Sequence, residues 1–292
     1  MTGRFWRLRK PILRSSLCKQ SDFSSRWYRS WVERIAQGAP TLPADQEAVW
    51  GTVWAGMRGK FLHRKLWEWA AISQALYERE MLQVGKSGIG FAVGSEPLSS
   101  IYASMGATIT ASDYSGGAAH WQTTGQLGHS LEAIHWPGIL PLETFKQRAT
   151  FQSIDMRNLT SMPTEAFDFS WSSCSFEHLG SLAAGTDFIL QSMRLIRPGG
   201  VAVHTTEFNI SSNEATVVSG DSVIYRRTDI EALDRSLRIL GCGIESLDLD
   251  PGTETHDLAY DRPPYYSHGR QHLKLDLMGH ISTSIMLIVR KG

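Results

Sequence analysis

The chain is poor in cysteine, with only Cys18, Cys174 and Cys242 among 292 residues and no C-x-x-C pair. That count excludes a disulfide framework and a zinc ribbon, and it points to reduced thiols in a cytoplasmic protein. Net charge is missing too, because 29 basic residues balance 29 acidic ones. No global field therefore draws the molecule to nucleic acid, which is not an expected partner. No stretch supplies the roughly 18 consecutive apolar residues of a membrane-spanning helix, and the basic start RFWRLRKPILR has no apolar core of the kind a secretory signal carries. Internal repeats and low-complexity tracts are absent as well.

What is present is apolar material for one large core, at 42% hydrophobic residues. Charge is uneven at the start, where Arg4, Arg7, Arg9, Lys10 and Arg14 precede the first acid, Asp22. This reads as a solvated tail or as a patch that meets an anionic lipid or a nucleotide, leaving peripheral membrane contact open. Residues 22–37 predict a helix with Trp27, Trp31 and Ile35 on one face and Asp22 or Ser24 as cap. Its aromatic face, with Tyr28, is expected to lid a cleft or dock on a partner subunit. Residues 38–59, with Pro40, Pro43 and several glycines, read as a linker, and 60–79 as a second helix. Within it Trp67 and Trp69 read either as core packing or as a ring face for a cation or sugar. The organisation expected is a basic tail and helical extension over 1–59 and a main domain over 60–292.

From residue 89 apolar runs alternate with amphipathic stretches, the pattern of a parallel sheet covered on both faces. Strands are expected at 89–94, 107–112, 149–154, 167–173 and 201–206, and helices at 97–105, 143–148, 182–195 and 228–241. Arg197-Pro198-Gly199-Gly200 marks a helix-to-strand turn, and Thr228 a helix cap. Residues 244–250 and 282–290 add two strands without an evident crossover helix, so they are expected to be antiparallel. The fold class is thus α/β and Rossmann-like, about seven strands, mostly parallel with an antiparallel last strand, plus an N-terminal helical extension. Residues 251–280 form an excursion too long for a plain turn, and such loops tend to be functional.

The stretch IGFAVGSEPLSSIYASMGATITASD, residues 89–113, reads as strand, tight turn, helix and strand, with Asp113 nineteen positions after Gly94. That spacing lets the acid reach a nucleoside resting on the turn. Ligands of open α/β sheets sit beyond the carboxyl ends of the strands, which selects Gly90, Gly94, Glu96, Asp113, Tyr114, Asp155, Met156 and Ser173 as cofactor-facing residues. Asp113 would accept the ribose hydroxyls, and Asp155 with Met156 would hold an adenine edge and face. A dinucleotide needs its diphosphate on a glycine-rich helix start, where Glu96 would repel it. S-adenosylmethionine has no phosphate and carries an ammonium that an acidic turn tolerates.

With these residues in hand, the chain resembles the class I S-adenosylmethionine-dependent methyltransferases. IGFAVGSEP is similar to their glycine-rich first motif with Ala92 where a glycine is usual, Asp113 to their ribose acid and Asp155 to their adenine-side acid. FDFSWSSCSFEHL and LIRPGGVAVH are similar to their fourth and fifth strands. Over nearly the whole chain, HRKLWEWAAISQAL, SSCSFEHLGSLAAG, VHTTEFNISSN and HLKLDLMGHISTSI resemble a bacterial methyltransferase group linked to surface polysaccharide or glycan synthesis. The resemblance implies S-adenosyl-L-methionine as cofactor and a small-molecule or glycan acceptor.

An acceptor hydroxyl must lose a proton, which calls for a histidine or carboxylate at the same sheet edge. His178, Glu207 and His204 are the candidates, with Glu177 beside them and His256, His268 and His272 in the excursion. Strand alternation leaves His204 open as a core imidazole. No tight ligand spacing supports a metal, although His178, Glu207 and an excursion histidine are the residues that would gather one. Two other readings stay open, a nicotinamide-dependent oxidoreductase on the same type of sheet and a non-catalytic module that keeps the fold.

Overall fold

A computed structural model describes residues 13–39, 47–114, 116, 127–267 and 269–292. Arg4, Arg7, Arg9, Lys10, Pro40, Pro43 and His268 lie outside the described residues. One sheet organises the rest. Its strands are β1 (Ser16–Leu17), β2 (Ser87–Gly90), β3 (Thr108–Asp113), β4 (Ala149–Ser153), β5 (Phe167–Ser173), β6 (Ile196–Asn209), β7 (Cys242–Ile244), β8 (Tyr260–Asp261), β9 (Lys274–Leu277) and β10 (His280–Lys291). The order is β4-β3-β2-β5-β6-β10-β9-β8, with β1 and β7 also paired to β10.

Strands β2 to β6 pair in parallel, and β10 runs antiparallel to β6 from Ser282↔Asn209 to Arg290↔Val201. The expected antiparallel end is thus present. Its detail differs, because residues 242–244 alone pair with β10, at the far end from the β9–β10 hairpin. Strands β8 and β9 arise inside the excursion, where two- and four-residue pieces are too short to show a period.

The helices are α1 (Arg26–Gly38), α2 (Glu47–Met57), α3 (Arg64–Glu78), α4 (Leu98–Ser104), α5 (Leu142–Arg148), α6 (Leu182–Leu195) and α7 (Arg227–Ile239). A 3-10 turn, Phe176–His178, follows β5. Ser25 caps α1 by accepting from Tyr28 N, so neither Asp22 nor Ser24 is the cap. Helix α7 begins at Arg227, with Asp229 reaching back to Arg226 N, so Thr228 lies inside it. Helix α2 occupies half of the expected linker. Among the described residues no helix is long and apolar enough to cross a membrane.

Alternation sends Val201, Val203, Met286 and Ile288 into one apolar body with α1 and α3, and Ala202, Ile285, Leu287 and Val289 into another with α6 and α7. Helix α1 belongs to the first body rather than lying over it, while Leu17 of β1 packs in the second. Tyr28 and Trp31 are each 6% exposed, Trp31 Nε1 donates to Gln74 Oε1, and Trp67 Nε1 donates to Asp22 Oδ2. The aromatic face expected to act as a lid is therefore core, and a chain cut near residue 40 would expose the face of α3. Trp67 and Trp69 are each 1% exposed, which makes them core packing too.

Candidate active site at the carboxyl edge of the sheet

The turn after β2 is held from three sides. Asp113, at the end of β3, accepts from Gly94 N at 3.2 Å and Gly128 N at 2.8 Å through Oδ2, and from Tyr114 N at 2.8 Å through Oδ1. Burial pushes its pKa up, and the three backbone N–H groups pull it back. Trp136 Nε1 donates to Ser95 O, and Trp171 Nε1 donates to Glu96 Oε1 at 2.9 Å. Gly94 has φ +52, and Ala92, two residues earlier in the same turn, has φ +47. The chain thus makes the left-handed turn with an alanine where glycine carries no steric cost.

Two residues expected to face a cofactor have other work. A Cβ on Gly90 would lie 2.2 Å from the Trp171 ring, so this glycine makes room for an indole on the neighbouring strand. Glu96 is 6% exposed, and burial lifts its pKa to about 8 against the hydrogen bonds from the indoles of Trp171 and Trp69. At neutral pH it is mostly protonated. The repulsion argued above against a diphosphate therefore loses its charge, and its place in the choice between cofactors falls to the other groups of the turn.

Asp155 lies just past β4 in a fork with Arg157, whose Nη2 is 2.7 Å from Oδ2, and this partner holds its pKa down. The Arg157 guanidinium stacks 5.6 Å from the Tyr114 ring centroid, which brings the expected residues Tyr114 and Asp155 into one group beside Asp113. Met156 is 5% exposed and packs in the apolar body of α6.

A second group gathers where the start of α3 meets the ends of β5, β6 and β10. Glu68, wholly buried, pairs with Lys65 at 2.9 Å and accepts from Ser173 Oγ, Cys174 Sγ and Ser284 Oγ. Lys65 first, then Arg64, bring its pKa down to about 2 in spite of burial. Arg64 Nη2 donates to Glu207 Oε1, whose other oxygen accepts from Ser282 Oγ at 2.9 Å. Glu177 accepts from Thr206 Oγ1, and burial raises its pKa. Among the described residues the ligand atoms of Cys174, Glu177 and Glu207 lie within 4.8 Å of one another. This trio differs from the expected His178, Glu207 and excursion histidine, and Arg64 and Thr206 already supply partners to its carboxylates.

His178 Nδ1 lies 2.7 Å from the carbonyl oxygen of Asp221. A carbonyl only accepts, so Nδ1 carries the proton. His204 departs from the catalytic expectation. It is fully buried between Phe176 and Phe188, with Nδ1 2.8 Å from Ser172 Oγ, and burial lowers its pKa to about 3. It is a core imidazole, out of reach of an acceptor. Arg64 and Lys65 are not singled out by a reading of 60–79 as a helix with two tryptophans. The signal was the His63-Arg64-Lys65 run at the helix start, facing Glu68 one turn on.

Buried hydroxyls without a protein partner among the described residues also mark this edge. Ser95 Oγ sits on the glycine turn and Ser175 Oγ on the loop after β5. An enclosed polar atom with no partner is costly, and a polar ligand lying across both loops would satisfy them.

The strand order, the antiparallel β10 and the acid at the end of β3 define the Rossmann-like class I methyltransferase fold. The chain is similar to a solved protein from Galdieria sulphuraria assigned as a sarcosine dimethylglycine methyltransferase, at 12% identity over 86% of this chain and 99% of that one, with a TM-score of 0.51. It is also similar to the [4+2]-cyclase SpnF, at 18% identity over 85% and 97% of the two chains, with a TM-score of 0.51. No protein-family model matches the chain, and no curated protein matches it. At such identities the likeness carries the fold, and the reaction must be argued from the site.

Proposed function

We propose that the chain is an S-adenosylmethionine-dependent methyltransferase that methylates a hydroxyl of a sugar or glycan acceptor. The observation that carries this reading is the Asp113–Gly94 contact, a strand-end carboxylate tied to a left-handed turn that also carries the enclosed hydroxyl of Ser95. Those residues fit the cofactor. Gly94 and Ser95 would hold its amino acid portion, Asp113 its ribose, and Tyr114 with the Asp155–Arg157 fork would border the base. When bound, S-adenosylmethionine supplies an electrophilic methyl group. The chain's own part is to orient the acceptor, exclude water and receive the acceptor's proton. His178 and Glu207 border the acceptor side, Glu207 as a fixed carboxylate under Arg64.

The carboxylate of Asp113 has about four acceptor positions, of which three are taken by backbone N–H groups. A ribose diol needs two. Full engagement therefore requires Gly128 N–H to let go. This same crowding favours a second reading, a module that keeps the fold without the reaction.

Calorimetry with S-adenosylmethionine, S-adenosylhomocysteine and NAD separates the readings, followed by mass spectrometry on a panel of nucleotide sugars and oligosaccharides for a gain of one methyl. Binding of the first two with methyl gain on a saccharide supports the proposal. Binding of NAD alone would replace it with an oxidoreductase, and no nucleoside binding would leave the module.

A further inference from the structure

A closed chain of polar groups lies at the same sheet edge, beyond β6 and β10, and the methyl transfer proposed above has not used it. Asp261, at the end of β8, is fully buried and its Oδ2 lies 2.7 Å from His272 Nδ1. The other nitrogen, His272 Nε2, lies 3.3 Å from the Tyr266 hydroxyl, which is also 3.3 Å from His63 Nε2. Each proton in this chain can be placed. Burial keeps His272 neutral, with a pKa lowered to about 3, and a carboxylate partner puts its single proton on Nδ1. His272 Nε2 is then an acceptor, so Tyr266 donates to it. His63 Nδ1 accepts from Lys65 N at 3.1 Å, which puts the His63 proton on Nε2, where it donates into one lone pair of the Tyr266 oxygen. The Thr52 hydroxyl of α2 also faces the Tyr266 oxygen and opposes the rise that burial gives its pKa.

The arrangement conducts in one direction. A donor hydroxyl in the place of Thr52 can pass its proton to Tyr266, Tyr266 can pass its own to His272, and the Asp261 carboxylate at Nδ1 faces the imidazolium that results, offsetting the burial and the Arg64 charge that disfavour it. Its place also suits an acceptor. His63 is two residues before Lys65, whose Nζ lies 3.4 Å from both Ser173 O and Ser173 Oγ at the end of β5. Tyr266 itself is 41% exposed and sits at φ +67, a backbone state that a tyrosine adopts only when its surroundings impose it. The charged and titratable groups facing it are His63, His272, Asp261, Arg64 and Lys65.

We propose that Tyr266, backed by His272 and Asp261 and oriented by His63, is the group that takes the proton from the acceptor hydroxyl during methyl transfer. The acceptor O–H bond breaks as a proton moves to the Tyr266 oxygen and the Tyr266 proton moves to His272 Nε2. The acceptor oxygen keeps the electron pair with which it takes the methyl group, and the pair of the broken C–S bond stays on sulfur. Release of the proton from His272 to water after product departure restores the resting state. The inference rests on the function proposed above, and it gives the base role to Tyr266 in preference to His178.

Two measurements on the full chain test it. In histidine-labelled protein without cofactor, nitrogen NMR should show His272 protonated at Nδ1 and His63 at Nε2, and Tyr266→Phe should shift both Nε2 resonances. A His272 proton on Nε2 would face the Tyr266 proton and overturn the relay. In turnover on whichever saccharide of the panel gains a methyl, Tyr266→Phe keeps the ring and removes only the hydroxyl. It should bind S-adenosylmethionine within about twofold of the parent and hold KM, while kcat falls roughly 100-fold. His272→Gln, a check should the first variant fold poorly, should lower kcat to a similar degree, and His178→Gln should lower it far less. Parental turnover in Tyr266→Phe, or a loss confined to His178→Gln, would overturn the proposal with the function intact. A parent chain that binds no S-adenosylmethionine would overturn both.

Discussion

Trp171 Nε1 donates to Glu96 Oε1 across 2.9 Å, joining the middle of β5 to the turn that follows β2. The indole needs only an acceptor there, and burial makes the neutral acid the cheaper one, with a pKa pushed up to about 8. The linkage has a definite sign. An unfolded Glu96 ionises near its ordinary value of 4.5 and the folded one near 8, so between these values the native state binds more protons and stability falls as pH rises. Glu96→Gln keeps an oxygen for Trp171 and cannot ionise. It should flatten this part of the pH dependence and raise stability at pH 9 by roughly 2–4 kcal/mol relative to the parent, measured by urea denaturation at pH 5, 7 and 9. An unchanged slope would mean that Glu96 ionises normally.

Asp113→Ala tests the cofactor contact and has a folding cost that the sequence did not disclose. A strand-end acid looks dispensable to a core, yet this one is 7% exposed and satisfies Gly94, Tyr114 and Gly128. Stranding those N–H groups should lower stability by about 2–4 kcal/mol, with partial relief from water. S-adenosylmethionine affinity should fall at least tenfold, so calorimetry belongs at a temperature where thermal denaturation shows the variant folded. Parental affinity in a folded variant would remove Asp113 from the site.

The parts of the fold legible in the sequence are those fixed by short-range periods. Strands β3 to β5 and helices α3 to α6 follow from apolar alternation and turn residues, and Asp113 from its distance to Gly94, whereas β2 ends at Gly90 instead of 94 and the Arg197–Gly200 stretch expected as a turn is already part of β6. What escaped depends on contacts far apart in the chain. The neutrality of Glu96 comes from burial in the assembled fold, where Trp171 reaches it across 75 positions, Glu68 accepts from Ser284 across 216, and Glu207 is held by Arg64 across 143. No period announces such pairs. Helix α2 was hidden by the glycines and prolines around it, and Tyr266, His272 and Asp261 lie in an excursion whose strands are two and four residues long. His204 was readable as catalytic or as core, and the side of β6 on which Phe188 packs decided it.

Glu68→Gln should loosen the join between α3 and the sheet. The carboxylate is wholly buried, and its two oxygens serve Lys65, Ser173, Cys174 and Ser284 together. With a folded pKa brought down to about 2, its stabilisation is present above 4.5 and lost as pH falls toward 2. The glutamine keeps the volume, leaves Lys65 without its counter-charge and turns an NH2 toward groups that donate. A loss of roughly 3 kcal/mol at pH 7 is expected, shrinking at pH 3, where the parent has lost part of the same interaction. Denaturant midpoints at the two pH values read this out, and an equal loss at both would show that charge is not the cause.

Ala92→Gly is the substitution expected to help. At φ +47 the alanine Cβ crowds its own backbone, at a cost of about 1 kcal/mol that glycine does not incur. Glycine gives part of this back through its freer unfolded chain, so the net gain should be small, about 0.5–1 kcal/mol. Ala92→Val sets the opposite case, since a β-branched side chain is least tolerant of positive φ and should cost about 2 kcal/mol or more. Thermal denaturation of the two variants should therefore bracket the parent. If both fall below it, the alanine methyl contributes packing against the apolar body beside it that outweighs the strain.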